Sequence, residues 1–129
     1  MNRKGFTLLE LVTVIIIVGI LAAAGVPLYL NYVQDAKIAK AKASIDALYS
    51  AERIHYQKEQ QYWISASPSS GDIESNLDIR LDPSVDNNWQ FAIAGNAAGP
   101  ISISATGKTG TPADGLSTTF WSGTGTFNN

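Results

Sequence analysis

Few residues in this 129-residue chain are of types and spacings that do chemistry, and the most conspicuous is Glu10. It is a carboxylate inside the apolar text "FTLLELVTVIIIVGILAAAGVP", six positions after the last preceding basic residue, Lys4. A carboxylate in hydrocarbon costs a few kcal/mol on insertion scales, so such a group reads as functional and in need of a partner. A carboxylate that merely reaches back to the headgroups is the simpler alternative. Glu52 and His55 lie three apart, with no second carboxylate or nucleophile at a defined spacing, which points to satisfaction by neighbouring backbone rather than to catalysis. Asp82 and Asp86, in "DPSVDNN", offer oxygen ligands for calcium, against which stands the ordinary use of acidic side chains to cap turns. "GKT" at Gly107–Thr109 has part of a phosphate-loop pattern, but Ser102 stands where that loop needs glycine, and Gly110 and Pro112 stand where it needs a helix. It reads as a turn.

Composition narrows the classes further. There is no cysteine, hence no disulfide, thiolate nucleophile or cysteine zinc site, and a single histidine rules out a histidine cage. A net charge of −2 with scattered basic residues leaves no footprint for direct DNA binding. No residue set supports enzymatic activity.

The elements that position these groups are of two kinds. Residues 11–34 carry no charge, and as a helix they extend about 36 Å at 1.5 Å per residue, enough to cross a hydrocarbon core about 30 Å thick. Arg3 and Lys4 before the span orient the N-terminus toward the cytoplasm. A cleaved secretory signal is the rival, with Ala22-Ala23-Ala24 as an A-x-A site and a soluble binding domain released near Ala24. Against it stand the charge at Glu10 and a helical pattern that resumes directly after Pro27 and continues to about Tyr62. Gly19, Gly25 and Pro27 weaken the apolar helix, so a kink or unwinding is expected between Gly19 and Pro27.

In the second half of the helix, Ile38, Ala41, Ile45, Leu48, Tyr49 and Tyr56 make one bulky stripe suited to covering a sheet. Ala36, Ala43, Ala47 and Ile54 make another, read either as a close-approach face for neighbouring subunits or as plain helix propensity. After Trp63, "SASPSSGDIES" reads as a loop. Trp89/Phe91/Ile93 and Ile101/Ile103/Ala105 alternate on either side of the turn "GNAAGP", a hairpin signal. Leu116–Trp121 supplies a third strand and "TGTF" a frayed fourth. The expected fold is α+β, a long N-terminal helix on a small antiparallel sheet of three or four strands.

The N-terminal text "KGFTLLELVTVIIIVGILAAAGVPLYLNYV" resembles the type IV pilin family, including the pseudopilins of type II secretion, over about a quarter of the chain. Gly5, Phe6, Glu10, Gly19 and Pro27 fall on that family's marked places. The resemblance implies the pilin fold, with a cleaved leader at 1–5, a transmembrane and filament-core helix at 6–30, an amphipathic helix at 31–63 and a loop-plus-sheet head at 64–129. It implies that prepilin peptidase cuts between Gly5 and Phe6, that the new Phe6 amine is N-methylated, and that this amine meets Glu10 of a neighbouring subunit, with Thr7 lending a hydroxyl. The subunit would be stored in the inner membrane and passed by an assembly platform into a helical filament of identical subunits. That filament is an extracellular pilus or, alternatively, a periplasmic type II secretion pseudopilus. No cofactor is implied, calcium at Asp82 and Asp86 being the one candidate.

Overall fold

The computed structural model describes residues 5–129. Helix α1, Leu8–Glu59, runs for 52 residues and crosses the boundary between two compact units, one ending at Val33 and the other spanning Gln34–Asn129. In the first unit the helix is apolar on all sides and open on all sides, with Leu8, Leu9, Ile20 and Leu21 each at least 66% exposed. By length and composition it is able to cross a membrane.

The expected unwinding between Gly19 and Pro27 is absent. Pro27 lies inside α1, and the helix continues through both glycines. Proline deletes only its own backbone N–H donor, and the helical turns on either side keep theirs, so one lost bond leaves a long apolar helix intact. The end comes sooner than the expected Tyr62. Helix α1 stops at Glu59, and Gln60 takes a left-handed φ of 58° while its N–H still bonds Tyr56 O at 2.9 Å.

The second unit is built on the bulky stripe. Ala41, Ile45 and Leu48 are fully buried, and Ile38 and Tyr49 pack against the same core. Opposite them stands a four-stranded antiparallel sheet, β1 (Trp89–Gly95), β2 (Ile101–Gly107), β3 (Ser117–Trp121) and β4 (Thr126–Asn128), in the order β1-β2-β3-β4. Register pairs Phe91 with Ala105, Ile93 with Ile103, and Ile103 with Phe120, so every second residue of each inner strand faces the helix. Tyr49 meets Phe120 at 4.9 Å between ring centroids, joining α1 to β3.

Two short helices precede the sheet, the first beginning in the stretch read as loop and the second in the acidic stretch read as capped turns. Helix α2, Ser70–Leu77, begins with Ser69 and Asp72 bonding each other's backbone N–H groups and buries Ile73 and Leu77; helix α3, Pro83–Asp86, is capped by Asp82. The signal for α2 was a capping box with Asp in place of Glu, followed by one apolar i,i+4 pair, too short a pattern to stand out among Ser, Gly and Pro. Gly107, the glycine of "GKT", has a close-packing role: a Cβ there would collide with the carbonyl oxygen of Ala113.

Leu48 makes the helix face testable. Leu48→Ala is expected to cost about 2–5 kcal/mol in denaturant unfolding of the full-length chain in detergent, followed by tryptophan fluorescence. Ala43→Ser, on the exposed side, is expected to stay within about 0.5 kcal/mol of the parent.

Candidate assembly site at the helix N-terminus

The residues marked by the sequence pattern come together at the start of α1. Thr7 precedes the helix, and its backbone N–H and side-chain Oγ1 donate to Glu10 Oε2 at 2.8 and 2.9 Å. The Glu10 N–H in turn donates to Thr7 Oγ1 at 3.2 Å. This is a reciprocal capping box, with Thr7 as N-cap and Glu10 three residues on. It satisfies backbone donors that a helix leaves open at its first turn, and it sets a negative charge against the positive end of the helix dipole.

The expected partner of Glu10 lies in a neighbouring subunit; within its own chain the carboxylate already accepts from neutral donors on Thr7. The T-x-x-E spacing that signals this is plain in "TLLE". Among the described residues these contacts use Oε2, so Oε1 remains for a further donor.

Phe6 is 86% exposed, and Gly5 has nothing within 4 Å of where a side chain would stand, so the Gly5–Phe6 bond lies open. Residues 1–4, Arg3 and Lys4 among them, lie outside the described residues. At Gly19 and Gly25 the surface is equally bare. Tyr29 and Tyr32 are 69% and 71% exposed on the same part of the helix. Ala36, Ala43, Ala47 and Ile54 are exposed as well, and Ala47 and Ile54 line a groove with Asn76 and Ile79.

The other candidates serve the fold. Asp82 Oδ1 accepts from the Ser84 N–H at 2.8 Å and from Ser84 Oγ at 2.6 Å, while Oδ2 faces Lys40 Nζ at 3.8 Å. Lys40 also bonds Ser84 Oγ. Asp86 faces Lys108 Nζ at 4.0 Å. The two carboxylates therefore turn to separate lysines, and among the described residues no three His, Asp or Glu side chains gather around one point. Glu52 is fully buried and accepts the Trp63 N–H at 3.0 Å, the backbone satisfaction expected of it; His55 Nδ1 lies 2.9 Å from Gln61 O.

With this geometry in view, the likeness to known proteins falls into place. The family model described as the prokaryotic N-terminal methylation motif matches residues 1–26. The chain is 33% identical over 109 residues to a fimbrial protein of Pseudomonas aeruginosa, covering 81% of this chain and 68% of that one. A fimbrial protein of Dichelobacter nodosus is 32% identical over 123 residues, covering 82% and 77%. The type IV major pilin protein PilA of Myxococcus xanthus (strain DK1622) is 36% identical over 61 residues, a match that takes in 28% of its length. No solved structure matches the chain. This chain belongs to the type IV pilin family, and it is a structural subunit rather than an enzyme.

Two outcomes follow from the contacts. Thr7→Val removes the hydroxyl while keeping shape, and the loss of the cap, about 0.5–2 kcal/mol, is expected to speed exchange of the first-turn amides of α1 several-fold in detergent micelles, read by NMR. Asp82 is held below its ordinary value of 3.8, chiefly by the Ser84 hydroxyl, then by the Ser84 N–H and Lys40. A lowered folded value gives stability that is present above 3.8 and is lost as pH falls below it. Asp82→Asn is therefore expected to flatten the fall of the urea midpoint below pH 4.

Proposed function

We propose that the chain is the building subunit of a type IV pilus: a precursor held in the inner membrane by residues 6–30, cut by prepilin peptidase between Gly5 and Phe6, and assembled through α1. The observation that carries this reading is the capping box of Thr7 and Glu10 at the mouth of a helix whose apolar surface is open all round. A charged acceptor gains about 1.5–3 kcal/mol per hydrogen bond. Two donors from Thr7 therefore offset much of what insertion of Glu10 costs, so a single subunit is stored in the membrane without a partner.

Assembly changes the account. Cleavage after Gly5 creates an amine on Phe6, methylated in keeping with the motif match over residues 1–26. That amine is a cation in low dielectric. Set against Oε1 of Glu10 on an adjacent subunit, it forms a pair whose main effect is to fix axial register, since misaligned subunits leave a charge unmet. The bare surface at Gly19 and Gly25 lets neighbouring helices approach closely. Residues 31–63 carry the sheet-covering stripe, and the head at 64–129 coats the filament.

The fimbrial relatives favour an extracellular pilus made of identical subunits. A periplasmic type II secretion pseudopilus is the second reading, favoured by the cysteine-free head. The assembly platform and the peptidase are the remaining partners. No cofactor enters; calcium at Asp82 and Asp86 would have to displace Lys40 and Lys108. The unbroken run of α1 through Ala24 supports retention of the span over release near that residue.

Mass spectrometry of the mature protein is expected to find a chain that begins at Phe6 and is one methyl group heavier than its sequence. A chain beginning at Gly25 would refute the subunit reading. Glu10→Leu is expected to be inserted and processed normally yet to yield no sheared filaments by electron microscopy, and normal filaments would refute the pairing role. Filaments that remain in the periplasm of the parent strain would favour the pseudopilus.

A further inference from the structure

Beyond the end of α1 the chain turns back as a strap, Gln60–Ser65, and the last turns of the helix fasten it. Glu52 Oε2 accepts the Trp63 N–H at 3.0 Å, His55 Nδ1 lies 2.9 Å from Gln61 O, and the Tyr56 ring stacks on Tyr62 at 4.6 Å between centroids. On the other side the Tyr62 N–H bonds Ala97 O at 2.7 Å, and Ser65 exchanges two backbone bonds with Ile93 at 3.0 and 2.8 Å. Gln60, Gln61 and Ile64 are exposed, while Tyr62 and Trp63 are half-buried against the core, so the strap is held by a few contacts at its middle and is open to water on either side of them.

One member of this set is out of keeping with the rest. Glu52 is fully buried, and its Oε1 has no hydrogen-bond partner among the described residues. An ionised carboxylate with a bare, dry oxygen is costly, and the cost disappears when the strap lifts and water reaches it. We propose that Glu52 is a proton-operated catch on the strap: protonated, it stays buried and the strap lies closed, whereas ionised, it favours opening of Gln60–Ser65.

His55, which contacts Gln61 O, is another ionisable side chain of α1 that touches the strap. On α1, Arg53, His55, Tyr49 and Tyr56 stand near Glu52, and on the strap Tyr62 does. Strands β1–β4 carry no ionisable side chain. Burial pushes the Glu52 carboxyl above its ordinary 4.5, and the Trp63 N–H and His55 oppose that only in part. A closed-state value that is raised means closure is favoured fully below 4.5 and the advantage is lost as pH climbs through the raised value.

Amide exchange on the full-length chain in detergent micelles tests this between pH 4 and 7, with rates corrected for intrinsic base catalysis. The N–H groups of Tyr62, Trp63 and Ser65 are expected to lose protection together as pH rises, by up to about tenfold for each unit separating the closed and open values. Amides of β2 are expected to hold theirs. Glu52→Gln keeps an acceptor for Trp63 and cannot ionise, so its strap protection is expected to be independent of pH. A flat profile in the parent chain overturns the proposal without any variant. So does a pH response confined to Trp63, one that persists in Glu52→Gln, or one abolished by His55→Asn instead.

Discussion

The contact between Thr7 and Glu10 decides what the first half of this molecule is able to be. An apolar helix with a carboxylate near its end is awkward in either of two solvents, since water rejects its surface and hydrocarbon rejects its charge. The capping box resolves the second difficulty at the place where the helix needs donors satisfied anyway. One carboxylate oxygen then caps the helix, and the other takes no part in the box. Because the satisfying donors are neutral and belong to the same chain, they hold the group without neutralising it. That is what a subunit requires if it waits alone and later pairs with another.

The head meets a different constraint. From Gln34 onward the same helix has only one apolar face to bury, and the sheet is laid on it strand after strand by short connections, with no crossover. Without cysteine, loops are held by backbone approach and by lysine instead of by disulfides. Gly107 lets Ala113 of the turn before β3 lie against the end of β2, Lys37 Nζ donates to Pro112 O at 2.7 Å, and Lys108 Nζ reaches Asp86 O at 2.5 Å. These contacts tie α1, α3 and the β2–β3 connection to each other through single side chains.

The buried Glu52 is matched at one oxygen only. Thr118, the other buried polar side chain among the described residues, is matched by Asn128 O at 3.3 Å and Asn129 Oδ1 at 3.1 Å. A carboxylate left half-matched beside a lightly buried strap is a local weakness. It is also the kind of weakness through which a proton changes a surface.

Much of this architecture was legible in the order of residues. Periods of 3.6 and 2 marked the helix stripe and the first two strands, because a core face repeats in step with backbone geometry. The T-x-x-E spacing of Thr7 and Glu10 carried the capping box. What the order of residues did not carry was whatever depends on one weak local signal being outvoted. Helix α2 rests on a single apolar pair that only burial of Ile73 and Leu77 makes decisive. The persistence of α1 through Pro27 shows one missing hydrogen bond outweighed by its neighbours, and the stop at Gln60 is set by the strap that must turn there. The sequence by itself determined the membrane-length helix, the sheet-covering face and the pairing of Thr7 with Glu10, since each is a local spacing. Tertiary structure alone decided that Glu52 is dry and half-partnered, because burial is a property of what folds over a residue, and the strap that covers Glu52 comes from another turn of the chain.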